Sequence, residues 1–159
     1  MRIAIHAVGR MKAGPERDLA ARYLDRFAKS GPAIGLDWAG LTEIAESRAQ
    51  AASQRKAEEG RALLTVSDGA ALILLDETGK NFSSEQFANR LGTLRDGGQR
   101  TAMFAIGGAD GHDPDIRSRA ELTLSFGAAT WPHQMVRIML AEQLYRAATI
   151  LSGHPYHRA

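Results

Sequence analysis

The sequence contains no cysteine. Disulfides, thiolate metal sites and a cysteine nucleophile are therefore excluded, and such a chain suits a reducing compartment. It also lacks any stretch approaching the roughly 20 consecutive apolar residues of a membrane span. The opening run Met1–Val8 is too short for the core of a signal peptide before Gly9 interrupts it. A soluble, cytoplasmic protein without a membrane partner is expected. Charge of one sign is scarcely in excess: 20 Lys and Arg stand against 18 Asp and Glu, a formal net charge of +2. That is too little to imply nucleic acid by itself. No serine lies in a nucleophile-elbow pattern, so hydrolase chemistry of that type lacks its parts.

Acid is scarce toward the end of the chain. After Glu121 the one carboxylate side chain is Glu142, set against Arg137, Arg146, Arg158, His133, His154 and His157. Chance could produce this asymmetry; the sharper reading is a local anion-facing surface.

What is present describes an ordinary globular chain. With 159 residues, 44% hydrophobic and 24% charged, it has the size of one domain spanning 1–159 and enough apolar material for a core. Apolar runs at Ile3–Val8, Ala71–Leu75, Thr101–Ile106 and Leu122–Phe126 read as strands, with Ile34–Trp38 as a weaker one. The unbroken run Ala71–Leu75 suggests burial on both faces. Helical patterns occupy Pro15–Lys29, Glu43–Leu64, Ser84–Arg95 and Pro132–Leu151, and Asp113-Pro114 opens another. Ser83 with Gln86 forms a capping-box pattern; Asp113 with Pro114 has the order of a cap followed by the first helical residue. The alternation predicts an α/β fold with a mostly parallel sheet covered on both faces. Ligands of such sheets bind at the carboxyl ends of strands, which points to the segments after Leu75, Ile106 and Phe126.

Five motifs could carry chemistry. Asp76-Glu77-Thr78-Gly79 reads as a polar turn, its adjacent carboxylates directed apart, with the Leu75 backbone free to border a pocket. Gly107-Gly108-Ala109-Asp110-Gly111-His112 is either a tight turn or a loop whose backbone a ligand can approach closely. It is neither a Walker loop nor a dinucleotide fingerprint, and His112 reads as a solvated loop histidine. Phe126-Gly127-Ala128-Ala129-Thr130-Trp131 follows a strand with small residues that leave room for a flat heteroaromatic ligand; a compact loop under Trp131 is the plainer reading. The last helix is apolar nearly all round, as in a monomer core or a homodimer face. On it, Glu142 and Arg146 form a favourable i,i+4 pair. Arg137, near the helix start, opposes the dipole, which an anionic ligand or a carboxylate from elsewhere in the fold would explain. The tail Gly153-His154-Pro155-Tyr156-His157-Arg158 suits RNA contact, since Arg pairs with phosphate and Tyr stacks on bases. A metal site there lacks carboxylate partners.

These residues together resemble the SPOUT methyltransferase superfamily, in particular its small 23S rRNA pseudouridine N3-methyltransferases. The resemblance rests on Leu75-Asp76-Glu77 with Gly79-Lys80, Ile106-Gly107-Gly108, Leu124-Ser125-Phe126 through Thr130-Trp131-Pro132-His133, Val136-Arg137, Ala141 through Ala147, and His154-Pro155-Tyr156-His157-Arg158. It extends to Ala7-Val8-Gly9, with little signature between Ala33 and Leu64. It implies a deep C-terminal trefoil knot, which general topology rules disfavour. The knot would hold S-adenosylmethionine in a bent form through Leu75, Gly107, Phe126, Gly127, Ala128, Ala129, Thr130 and Trp131. The resemblance also implies a homodimer whose sites are completed by the partner, and methylation of N3 of a pseudouridine in helix 69 of 23S rRNA on the assembled ribosome. No metal is required. For removal of the N3 proton, His133, His154 and His157 are the candidate bases. Arg137 and Arg158 would position phosphates or base carbonyls, and Tyr156 would stack or hydrogen-bond. Two other classes compete with this reading: a non-catalytic RNA-binding module using the tail, and a nucleotide-binding α/β protein of other chemistry.

Overall fold

A computed structural model describes residues 1–157. Its centre is a five-stranded sheet built from β1 (Arg2–Val8), β2 (Asp37–Ile44), β3 (Ala71–Asn81), β4 (Thr101–Ile106) and β5 (Leu122–Ser125). The spatial order is β2-β1-β4-β3-β5, and every neighbouring pair is parallel. The helices are α1 (Pro15–Ser30), α2 (Ala52–Val66), α3 (Ser84–Asp96), α4 (Pro114–Arg119) and α5 (His133–Ser152).

Side-chain alternation divides the core into two layers. Ile3, Ile5, Ile73, Leu75, Phe104 and Ile106 pack with Phe27 of α1, Phe87 and Leu91 of α3, and Leu140 and Leu144 of α5. Leu72, Leu74, Met103 and Ala105 pack with Leu63 of α2 and Ile116 of α4. Covering on both faces explains why these strands read as unbroken apolar runs. α5 is apolar all round because it serves the monomer core: Ile138, Leu140, Ala141, Leu144, Ala147 and Ala148 are all buried within one chain.

Three boundaries differ from the sequence pattern. β3 continues past Leu75 to Asn81, so Asp76–Gly79 lies in the strand rather than in a turn. The segment Gly31–Ile34 is a short 3-10 turn closed by Gly35 in the left-handed region, so the second strand begins at Asp37 rather than Ile34. Glu43 and Ile44 belong to that strand, paired with Ala7 and Val8. The following helix therefore starts at Ala52, because ladder pairing overrides the helical preference of an alanine-rich segment. The capping box at Ser83 and the cap at Asp113 with Pro114 are both formed.

Candidate active site

The carboxyl ends of β3, β4 and β5 open into a cavity of about 310 Å3, at the small end of the range for small-molecule sites. Its wall is made by the end of β3, the loop after β4 and the loop after β5.

Just past Leu75, where the β3–β4 pairing stops, Asp76 and Glu77 continue β3 and both border the cavity, so they are not the polar turn with diverging side chains that the sequence suggests. The Asp76 carboxylate accepts hydrogen bonds from the Thr78 hydroxyl at 2.6 Å, the Thr78 amide at 3.0 Å and Arg117 at 2.5 Å. Burial pushes this carboxyl up, but the Thr78 bonds and the neighbouring guanidinium outweigh it and hold it below its ordinary value. Glu77 accepts from the Thr130 hydroxyl at 2.9 Å, which ties the end of β3 to the loop after β5.

In the loop after β4, the Gly111 amide donates to the Gly108 carbonyl at 2.9 Å and closes a tight turn. Close approach explains the first glycine of the run. A Cβ on Gly107 would lie 3.2 Å from the Gly111 backbone and from the His112 ring. Asp110 is gripped by Arg55 of α2 at 2.6 and 2.9 Å, and that bond keeps its carboxyl below the ordinary range. His112 is not solvated, contrary to the sequence reading. It is 8% exposed, and its Nε2 lies 3.1 Å from the Leu75 carbonyl oxygen. The loop folds back over the sheet and carries the ring inward.

The loop after β5 turns at Gly127, whose φ of 119° no side-chain-bearing residue adopts easily. The Ser125 hydroxyl accepts from the Gly127 amide at 3.1 Å. Trp131 stands 41% exposed on the cavity wall, and His133, the first residue of α5, is half-buried beside it.

Among the expected cofactor contacts, Leu75, Gly107, Phe126, Gly127, Ala129, Thr130 and Trp131 border this cavity, and Ala128 does not. His133 does; Arg137, His154, Tyr156 and His157 do not. Arg158 lies outside the described residues. Arg137 is 5% exposed. Its guanidinium is committed to the Glu43 carboxylate, the Val8 carbonyl at 3.0 Å and the Gly9 carbonyl at 2.5 Å. A carboxylate from elsewhere in the fold thus accounts for this cation near the start of α5.

The tail assembles a separate cluster around Arg146. Arg146 holds Glu142 at 2.6 and 2.9 Å, lies 5.0 Å from the centre of the Tyr156 ring, and approaches His157 Nδ1 at 3.4 Å. Because a guanidinium only donates, His157 carries its proton on Nε2 and donates it to Glu85 at 2.7 Å. The Tyr156 hydroxyl donates to Glu142 at 3.1 Å. Burial, Tyr23 and Glu142 together push the Tyr156 hydroxyl up to about 12. Sequence reasoning treated Glu142–Arg146 as an ordinary surface pair and passed over Arg55 and Arg117. The last two sit far in sequence from Asp110 and Asp76, with no local pattern linking them.

The cavity suits a compact ligand carrying positive charge. Asp76, Glu77 and Asp110 face it together with one guanidinium, Arg117; Asp76 and Asp110 hold arginines, whereas the hydrogen bond to Glu77 comes from a neutral hydroxyl.

Comparisons with known proteins agree with this geometry. The family model described as "Predicted SPOUT methyltransferase" matches residues 1–157. A protein of Mesorhizobium japonicum named ribosomal RNA large subunit methyltransferase H is 67% identical over the whole of both chains. One of the same name from Chelativorans sp. is 65% identical over 99% of this chain and 91% of its own. The solved structure of a probable methylase family protein from Haemophilus influenzae shares the fold, with a TM-score of 0.52 at 10% identity, over 99% of this chain and 70% of that one. The chain therefore belongs to the SPOUT methyltransferase family and, by identity over its whole length, to the ribosomal RNA large subunit methyltransferase H group within it.

Proposed function

We propose that the protein transfers the methyl group of S-adenosylmethionine to N3 of a pseudouridine in helix 69 of 23S rRNA, within the assembled cytoplasmic ribosome. The methyl donor is that of the family, and the ribosomal substrate follows the name borne by the relatives. The observation that carries the reading is the cavity itself. It is lined by the segments that the resemblance assigns to the cofactor, and its Glu77, which has no cationic partner among the described residues, suits a sulfonium or ammonium group. In this reading those segments are threaded as a trefoil knot and hold the donor in a bent form.

When bound, the cofactor supplies a methyl group on an already activated sulfonium. The chain's own residues then have three tasks. The Leu75, Gly107 and Phe126–Trp131 segments orient the donor for in-line displacement, where proximity is worth ~7–11 kcal/mol in favourable systems. His133, on the cavity wall, accepts the N3 proton of the base. The Trp131 indole offers a stacking face to that base.

The tail supplies the remaining contacts from a second subunit. Within one chain Tyr156 is docked beside Glu142, nine residues into α5 from His133, or ~14 Å along the helix axis. His154, Tyr156 and His157 border no part of the cavity of their own chain. A homodimer that places each tail over the partner's cavity completes the site, with Arg158 added at its end to engage phosphate.

The test is transfer of labelled methyl to purified ribosomes that lack the modification, followed by mass spectrometry of the 23S rRNA. Label on N3 of a pseudouridine in helix 69, with assembled ribosomes preferred over free rRNA, is the expected result. Label at another position removes the proposed target.

A further inference from the structure

Beneath the Gly107–Gly111 turn lies a group of buried ionisable side chains that methyl transfer does not use. His6 of β1, Glu59 of α2 and His112 are buried and, with Lys56 and Asp113, border a cavity of about 10 Å3. Glu59 supports the loop from below: a Cβ on Gly108 would come within 2.7 Å of its carboxylate. Both ring nitrogens of His6 lack a protein partner among the described residues.

His112 makes the one bond in this group that reaches the wall of the main cavity. A carbonyl oxygen only accepts, so the 3.1 Å contact with Leu75 requires the proton on Nε2. The position of that bond matters. The β3–β4 ladder ends at the pair Leu75 and Ile106. Past it, the end of β3 and the Gly107–Gly111 loop diverge to form two walls of the cavity. The His112 bond spans them from inside just where the ladder stops. Arg117 makes a second link, to Asp76 and Thr78, but its side chain is 39% exposed.

We propose that His112 is a positioning residue for the cofactor: by donating Nε2–H to the Leu75 carbonyl it sets the separation of the two backbone walls between which S-adenosylmethionine binds. The inference rests on the assignment of the main cavity to the cofactor. The imidazole acts in its neutral form, with one nitrogen donating. Burial holds it neutral, outweighing the Leu75 and Ala105 carbonyls and Asp76, and Arg117 acts in the same direction as burial. The groups facing it are His6 from β1, Lys56 and Glu59 from α2, Asp113 and Arg117 at α4, and Asp76 from β3.

The test compares His112→Leu, His112→Gln and Gly107→Val in the full chain by calorimetric titration with S-adenosylmethionine and by steady-state kinetics on ribosomes. His112→Leu is expected to raise the Kd and KM for the cofactor about tenfold, because walls no longer held at the bound spacing must be ordered on binding. Turnover at saturation should change little. His112→Gln, which keeps an N–H donor of similar reach, is expected to recover most of the affinity. A purely structural role would lower stability without this split between KM and kcat and without the rescue. In the unsubstituted protein labelled with 15N-histidine, the His112 ring should show the Nε2–H tautomer and shift on cofactor addition. A ring insensitive to cofactor overturns the proposal even if the leucine variant fails to fold. Unchanged cofactor affinity in Gly107→Val overturns the cavity assignment and the inference together. Lost affinity there with unchanged affinity in His112→Leu overturns the inference alone.

Discussion

The Arg137 guanidinium in α5 is bonded to the Glu43 carboxylate at the end of β2, 94 positions away in sequence. The same guanidinium holds the carbonyls of Val8 and Gly9 where β1 ends. One side chain thus fastens the last helix to the ends of β1 and its edge neighbour β2. Removing a partner from a buried ion pair typically costs ~3–5 kcal/mol; Glu43 is 28% exposed on its side chain, so the lower end applies. Arg137→Leu is expected to destabilise the fold by ~3 kcal/mol in urea unfolding, while the folded fraction still binds cofactor within about twofold. Strong loss of cofactor binding at full stability would return Arg137 to the site.

The two buried histidines give stability a dependence on pH near neutrality. Burial holds the His6 and His112 rings below the ordinary value of 6.5; His112 lowers His6 further, whereas at His112 the Leu75 and Ala105 carbonyls and Asp76 offset burial only in part. Well above pH 6.5 neither the folded nor the unfolded chain protonates them, and their neutral packing is fully available. As pH falls below that value, the unfolded chain takes up protons that the folded chain resists, so stability declines with decreasing pH until the depressed folded values are passed. The midpoint of urea unfolding should drop between about pH 7 and pH 5.5, and the double variant His6→Val, His112→Leu should flatten the curve in that window. Carboxylates held low, such as Asp76 and Asp110, contribute a separate loss below about pH 4.

At Gly127 the penalty of a side chain would be conformational rather than steric. Its φ is 119°, and a Cβ there would meet nothing within 4 Å. Gly127→Ala therefore forces the loop to relax or to carry roughly 1–3 kcal/mol of backbone strain. Because the loop forms one wall of the cavity, the expected result is a Kd for S-adenosylmethionine raised about three- to tenfold. Global stability should fall by no more than that strain, since no core residue is displaced and nothing lies within 4 Å of the added Cβ. An unchanged Kd would separate this loop from the cofactor.

The strands were legible where burial on both faces leaves only apolar residues, as in Ala71–Leu75 and Thr101–Ile106, and helix starts were legible where a local cap exists, as at Ser83 and Asp113. Local signals failed where partners are distant. Glu43 and Ile44 have no strand signature of their own and become strand by pairing with β1. His112 looks like a solvated loop residue until the loop folds onto the Leu75 carbonyl. The cavity was foreseen because its walls are backbone segments marked by glycine and alanine. Its arginine partners, Arg55 and Arg117, were not, because the bonds they make are tertiary.

The tail offers the sharpest test of shared sites. In one chain Tyr156 and His157 are held against Glu142 and Glu85, and neither borders the cavity. With its hydroxyl pushed up to about 12 by burial and its neighbours, Tyr156 stays protonated at neutral pH, so in the proposed shared site its part is that of a donor or a stacking face rather than a base. Deleting Tyr156–Ala159 should abolish methyl transfer while leaving cofactor affinity within about twofold, the ordinary scatter for a surface change. Mixing that truncated chain with Gly107→Val chains should then restore activity. Each mixed dimer combines one subunit with an intact cavity and one with an intact tail, and a two-fold interface brings these together at one of its two sites. Recovery on mixing, absent from either variant alone, is the outcome that only a tail acting across the dimer can give. If mixing restores nothing although mixed dimers form, the tail works within its own chain and must leave the Glu142–Arg146 cluster to reach the cavity.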